Sequence, residues 1–381
     1  MLTVFFLVFF VKAQIFLDPD FGWHIKTGQL ILQQGFPRTD PFSYTMPDYP
    51  YVDHSWGTDV FIALVYPIIG KIGLSIIFSC FVIATLWMLR PKNIFKSTKP
   101  LIDGSLFLVA GTLLPPFGVR IQVISWFLFV LVLKLVFDNK LWIKFRFLLP
   151  FLFFVWANLH GGFFVGFFVI VMFCLARFIK KRQIGVRDCV IVLFSVLATF
   201  VNPYGLSLWG IVLTTIINTQ FQSSIAEWQP AYTVVIFPVL MLFVLSSLSI
   251  WKYRRKINLE YILIYLLLTW QAYSHIRQEP LWSMVAFLIF VICLNFFYND
   301  IKKDKIAIVR LQFASKIAFY FFMLIFVLQA FSSVGESFFL TEKSFYPTNA
   351  IVFLKNYPSS GQVFSDYGWG GYIIWKIPEK K

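Results

Sequence analysis

The stretch LIDGSLFLVAGTLLPPFGVRIQVISWFLFVLVLKLVFD, residues 101–138, sets the fold class. Two apolar runs, roughly 101–115 and 121–138, flank Pro115-Pro116 and Arg120, and their centres are nearly free of charge. Continuous runs of this kind are helices that cross a bilayer, whereas a membrane β-barrel shows alternating segments of about ten residues. Similar runs recur along nearly all 381 residues, of which 59% are hydrophobic, 13% charged and 48 are phenylalanine. Soluble globular chains are about 25% charged, so a cytosolic enzyme, a collagen-like chain and a disordered tail are all excluded. The expected fold is an all-α membrane protein of about eleven transmembrane helices. It has a large first outer loop (about 18–56) and a short α/β extracytoplasmic tail.

Working outward, the apolar runs place spans near 2–17, 72–89, 101–115, 121–138, 147–157, 163–179, 189–201, 233–250, 260–274, 281–298 and 314–331, with a short membrane-edge helix at 57–70. Several are shorter than the ~20 residues of a perpendicular span, which predicts tilted or broken helices. Basic residues collect in five gaps: Arg90 to Lys99, Lys134 to Arg146, Arg177 to Arg187, Lys252 to Lys256 and Lys302 to Lys316. These gaps hold 22 of the 33 Lys and Arg, although the chain has a net charge of only +15. The bias makes that side cytoplasmic and places the N-terminus there. It is an orientation signal, and no nucleic-acid partner is implied. The N-terminal run has neither the basic region nor the small-residue cleavage site of a signal peptide. Cys80, Cys174, Cys189 and Cys293 lie in or beside apolar runs and read as buried hydrophobes.

With this topology His24, His54, His160 and His275 all face outward, as do Arg120, Arg277, Asp18, Asp20 and Glu227. Ionisable groups are costly in a membrane, so their collection at one end of many spans is what a surface active site produces. The outer loop opens Asp18-Pro19-Asp20-Phe21-Gly22-Trp23-His24 and continues to Gly28. Pro19 disfavours helix at Asp18, and a helix is expected from Phe21 to Gln34, stopped by Gly35 and Pro37. The two carboxylates are suited to deprotonating an acceptor hydroxyl or to holding a divalent cation. Plainer readings stand beside these. Asp20 can be an N-cap, Arg120 a snorkelling headgroup anchor and Arg277 a partner of Glu279. His160 can satisfy backbone groups at a helix break, and Asp40, before Pro41, can cap a helix start. Asn202-Pro203-Tyr204-Gly205 is a turn signal.

Paired carboxylates directly after the first span of a polytopic chain resemble the GT-C superfamily of membrane glycosyltransferases. More closely, the chain resembles a group of prokaryotic GT-C-like membrane proteins. The resemblance is carried by Asp18-Pro19-Asp20…Trp23-His24…Gly28, Gly35 to Ser43 (with Asp40-Pro41-Phe42-Ser43), and His54-Ser55-Trp56. Further along it rests on Trp156-Ala157-Asn158-Leu159-His160-Gly161-Gly162-Phe163, Asn202 to Gly205, Glu227-Trp228, and Val363 to Tyr372. It implies inverting transfer of a sugar from a polyprenyl-phosphate-linked donor to a glycan, protein or lipid acceptor, at the outer face of a prokaryotic plasma membrane. Asp18 or Asp20 would be the base, and Arg120 and Arg277 would clamp the phosphate. His24, His54, His160, Asn158 and Glu227 would complete the binding set. Any divalent cation would fall to Asp18, Asp20 and His24, although no zinc signature is present.

Two domains follow: a membrane domain at 1–331 and, at 332–381, the start of an extracytoplasmic domain, with a helix at 349–357 and strands at 362–364 and 372–376. Members of the resembled group continue further, which implies that this chain is truncated. A lipid-linked-glycan flippase and a non-catalytic envelope scaffold are the alternatives. A flippase would place charges mid-span, where this sequence has almost none.

Overall fold

A computed structural model of the chain describes residues 1–180, 185–223, 225–233, 236–357 and 361–380. Every regular element among them is helical, and the β structure is a lone bridge between Thr39 and Pro50. Trp56–Leu89, Asn139–Leu159, Ile276–Ile301 and Lys305–Leu340 are long and apolar enough to cross a membrane. Leu2–Ile15, Gln122–Phe137, Phe163–Ile179, Leu206–Ile217 and Phe237–Tyr253 are shorter apolar helices. Large apolar side chains such as Ile68, Phe178 and Phe331 stand exposed on the outside of this bundle, which is compatible with a multi-pass membrane protein.

Phenylalanine supplies much of the core. Phe5 meets Phe107 and Phe326 edge-on at 4.8 and 5.2 Å, and Phe9 meets Phe117 at 4.8 Å, the geometry that aromatic quadrupoles favour. Lys99–Leu113 packs closely on Lys305–Ser337 because Gly104 leaves no Cβ against the Phe319 backbone. Lys12 is buried in the first helix. Its amino group donates to Ser333 Oγ (2.6 Å) and to the Pro115 carbonyl (3.0 Å).

The bundle has two chemically different ends. At one, Arg90 pairs with Asp103, Arg146 with Asp188 and Lys256 with Asp300. The other gathers the ends of Leu2–Ile15, Lys99–Leu113, Leu149–Leu159 and Leu259–Ser274 with the starts of Gln122–Phe137, Phe163–Ile179 and Glu279–Ile301. The candidate site lies at this second end.

Several expectations match to within a residue at each end. Phe21–Gln34 is a helix ended by Gly35 at φ 85°, and Trp56–Leu89 is divided at Gly70, whose φ of 59° only glycine adopts readily. Thr348–Asn356 is the expected tail helix. Others differ. Residues 372–376, expected as a strand, belong to the helix Gly370–Lys376, and 362–364 pairs with no strand among the described residues. The helix Leu206–Ile217, twelve residues long, follows the Asn202–Gly205 turn and was not expected. Asp40 starts no helix; its Oδ1 accepts the Phe42 (2.8 Å) and Ser43 (3.3 Å) N–H groups. Residues 181–184 of the Arg177–Arg187 basic gap, and 234–235 of the span at 233–250, lie outside the described residues.

Candidate active site

The first helix ends at Ile15, and with Pro19 following it Asp18 stays outside any helix. Its Oδ1 accepts the Asp20 N–H (2.8 Å) and its Oδ2 accepts from Arg120 Nε. Arg120 follows the Pro115-Pro116 break, and its Nη1 also donates to Glu227 Oε1. The guanidinium therefore turns inward between two carboxylates rather than out to headgroups. Asp20 precedes the helix Phe21–Gln34, yet its carboxylate makes no capping bond. It is exposed and, among the described residues, has no side-chain partner.

Arg277 arrives from the far side of the bundle. The segment that carries it is stitched to the segment that carries Glu227. Ile276 N–H donates to the Gln229 carbonyl (2.9 Å), and His275 Nδ1–H donates to the Trp228 carbonyl (2.9 Å). Its guanidinium lies 5.1 Å over the Trp228 ring and within electrostatic reach of Glu227, Arg120 and Asp20. Glu279 is not among the charges acting on it, so the plainer reading of Arg277 as a partner of Glu279 gives way to a cross-bundle cluster. Burial alone would raise the Glu227 carboxyl, but Arg120 and then Arg277 outweigh that and hold it below its ordinary value.

The imidazoles form a row beside this cluster. His24 Nδ1 lies 2.9 Å from Asp59 Oδ1, and the His24 ring sits 3.8 Å from that of Trp23. The His54 and His160 rings are 5.7 Å apart. His160 Nδ1 accepts the Gly162 N–H (3.1 Å), so the Ser125 hydroxyl donates to it (2.6 Å) and the ring proton sits on Nε2. Trp156 Nε1–H donates to the same Ser125 oxygen (2.7 Å). A Cβ on Gly162 would fall 2.6 Å from Ser125 Oγ, which is why glycine stands there. His160 thus does satisfy a helix break. Asn158 is engaged on both sides of its amide: Nδ2 donates to the Phe154 (2.8 Å) and Val201 (3.0 Å) carbonyls, and Oδ1 accepts from Trp56 Nε1 (2.9 Å). Both of its amide protons are spent on the scaffold, which ties the helix Leu149–Leu159 to Trp56 and Val201.

Two residues escaped the sequence reading. Asp53 and Asp59 are buried, with carboxyls within hydrogen-bonding reach of each other, and Asp53 Oδ1 accepts the Ser55 N–H (2.8 Å) and hydroxyl (2.9 Å). Burial, then the nearby Asp59 charge, pushes the Asp53 carboxyl well above its ordinary value. The available signal was Asp59 in the first turn of an otherwise apolar helix. Among the described residues no three His, Cys, Asp or Glu side chains converge as a metal site, so Asp18, Asp20 and His24 do not form one. Compared with protein-family models and with curated proteins, the chain matches none.

The histidines make the site acid-labile. Burial, then the charges of His24 and Arg277, lowers His54 to about 3, and burial also lowers His24 and His160. Unfolded histidine titrates near ~6.5, so this contribution is complete above that value and is lost as pH falls toward 3. Asp53 acts in the opposite sense, its contribution fading as pH rises through its elevated value. The melting temperature of the detergent-purified chain should therefore fall less steeply between those limits in His54→Gln than in the parent. Parallel curves would show that His54 does not titrate as its surroundings dictate.

Proposed function

We propose that the chain is a GT-C-type glycosyltransferase, moving a sugar from a polyprenyl-phosphate-linked donor to an acceptor hydroxyl, with inversion, at the outer face of a prokaryotic plasma membrane. One observation carries this reading. At one end of an apolar bundle, an exposed carboxylate without a side-chain partner (Asp20) lies near the cross-bundle cation Arg277, and Arg120 is held close by between Asp18 and Glu227. Among the described residues, Arg277 has no ion pair of its own. A lipid-linked phosphate needs cations at the height of its headgroup, and the acceptor needs a base that is not already engaged.

Both Asp18 oxygens are occupied, so Asp18 is a positioning residue for Arg120, and Asp20 is the base. Asp20 takes the acceptor proton as the acceptor oxygen bonds to the anomeric carbon. The bond from that carbon to the phosphate oxygen breaks with its electron pair. The charge released on the polyprenyl phosphate falls to Arg277 and Arg120, which match phosphate oxygens in a fork. Attack opposite the leaving group inverts the centre.

Transfer of labelled sugar from polyprenyl-phosphate donors by membranes bearing the chain tests this. Asp20→Asn should lower the rate about 10²–10⁴-fold, the range for loss of a general base, with donor binding retained. Asp18→Asn should weaken donor binding as well as rate, because it releases Arg120. Unchanged transfer in Asp20→Asn removes the assigned base.

A further inference from the structure

Leu17 joins the first helix to the aspartates, and the far end of the chain holds it. It is buried and stands outside any helix, where a backbone N–H and C=O left unpaired are costly. The tail pairs both. Leu17 N–H donates to the Leu340 carbonyl (3.1 Å), and the Tyr346 hydroxyl donates to the Leu17 carbonyl (2.9 Å). Nothing in the transfer step proposed above uses either contact.

Tyr346 is fixed in turn. It is buried, its ring stacks on that of Tyr372 at 4.6 Å, and it meets Phe345 edge-on at 5.0 Å. The Tyr372 hydroxyl donates to Glu342 Oε1 (2.7 Å), and Lys376 pairs with that same oxygen (2.8 Å). A hydroxyl held this firmly delivers its hydrogen bond at one place. Tyr346 also lies within electrostatic reach of Asp20 and Arg120. Buried and spent on Leu17, its hydroxyl is not a group that touches substrate.

Asp18, one residue on, presents Oδ1 to the Asp20 N–H and Oδ2 to Arg120 from a stretch that no helix holds. On the downstream side Gly371 packs directly on the Pro19 backbone. The aspartate segment is therefore gripped from both sides by the tail. A misplacement of about 1 Å can cost about 10²-fold in rate, so the bond that fixes Leu17 is felt at Asp18 and Asp20.

We propose that Tyr346 is a positioning residue for the aspartate segment: through the Leu17 carbonyl its hydroxyl sets where Asp18 meets Arg120 and where Asp20 stands. Its effect on sugar transfer rests on the transferase reading; its effect on the segment does not.

Two substitutions at one ring, made in the full chain in lipid nanodiscs, test this. Tyr346→Phe removes the hydroxyl and keeps the stack on Tyr372, whereas Tyr346→4-aminophenylalanine puts an N–H donor in its place. The Asp20 and Phe21 N–H groups both donate to Asp18, to Oδ1 and to the carbonyl oxygen. Their hydrogen exchange should quicken about fivefold or more in Tyr346→Phe, as expected for one lost buried hydrogen bond, with the helix Lys99–Leu113 unchanged. Transfer by the folded fraction should lose about tenfold or more in kcat, with a raised KM for the polyprenyl-phosphate donor, since Asp20 and Arg120 shift together. The amino variant should restore exchange and transfer to within a few-fold of the parent. Exchange unaltered in Tyr346→Phe, or altered and not rescued by the amino variant, overturns the proposal. So does faster exchange with kcat and KM unchanged, the result for a residue that only braces the fold. A parent chain with no transfer at all would sink the transferase reading alone, and the exchange rates would still decide the role of Tyr346.

Discussion

Replacing Arg120 with alanine should unfold or strongly destabilise the protein and abolish transfer together. Asp18 is buried and its Oδ2 would lose its guanidinium, while Glu227, on a segment far along the chain, would lose its direct ion-pair partner. Removing one member of a buried pair costs about 3–5 kcal/mol, because the other charge remains without water or counter-ion. Structure and chemistry separate in a second variant. Arg120→Met combined with Asp18→Asn and Glu227→Gln removes both stranded charges, and the melting temperature should recover most of the loss. Transfer should stay at background, since the cation facing the phosphate is still gone. Recovery of both would mean that Arg120 only braces the fold. Arg120→Lys sits between: it keeps the charge and loses the fork that reaches two carboxylates at once.

The second large effect is expected at Gly371. A Cβ there would stand 2.2 Å from the Pro19 carbonyl oxygen, and one on Gly22 would stand 1.9 Å from the Gly371 oxygen. Both obstacles are backbone, so no rotamer relieves them. Gly371→Ala should push the helix Gly370–Lys376 off Phe21–Gln34 at a cost of about 1–3 kcal/mol, the usual range for overpacking. It should also displace Pro19, and with it the aspartates on either side. Limited proteolysis should cut the tail faster, and transfer should fall at least tenfold. Gly370→Ala is the control: nothing lies within 4 Å of its Cβ, and both readouts should be unchanged. A tail equally resistant in both variants would show that the Gly22–Gly371 contact does not hold it.

Apolar runs and glycines made most of the helices legible in advance, because burying backbone in an apolar setting leaves few options other than helix. The Gly35 stop, the Gly70 division and the break at Asn158-Leu159-His160-Gly161-Gly162 were all readable from residue type. The tail was not. Tyr372-Ile373-Ile374-Trp375 has the aromatic and β-branched content of a strand, but the close approach at Gly371 rewards a helix laid on Phe21–Gln34, and contact outweighs propensity. Leu206–Ile217 did not register as a span because Ser207, Gly210, Thr214 and Thr215 interrupt its apolar residues.

The site divided in a similar way. Gathering Asp18, Arg120, Glu227, Arg277 and the histidines at one end needed only topology. The division of labour between Asp18 and Asp20, and the structural engagement of Asn158, depended on which lone pairs were already taken. Asp53 and Asp59 were hidden for another reason. Asp53 is a loop carboxyl, ordinary in sequence, and only three-dimensional burial makes it unusual, while Asp59 at the start of an apolar helix passes for a first-turn acid.

Lys12 imposes an order on biogenesis. The oxygen that receives its shortest hydrogen bond, on Ser333, comes 321 residues later in the chain. At ~5–20 residues per second, roughly 15–60 s of translation separate the two. An amine within an apolar helix is costly in hydrocarbon until paired, so the first helix cannot settle when it emerges. Its seat is completed only when the helix Lys305–Ser337 is made, and a nascent chain released before that point lacks the group that anchors its own beginning.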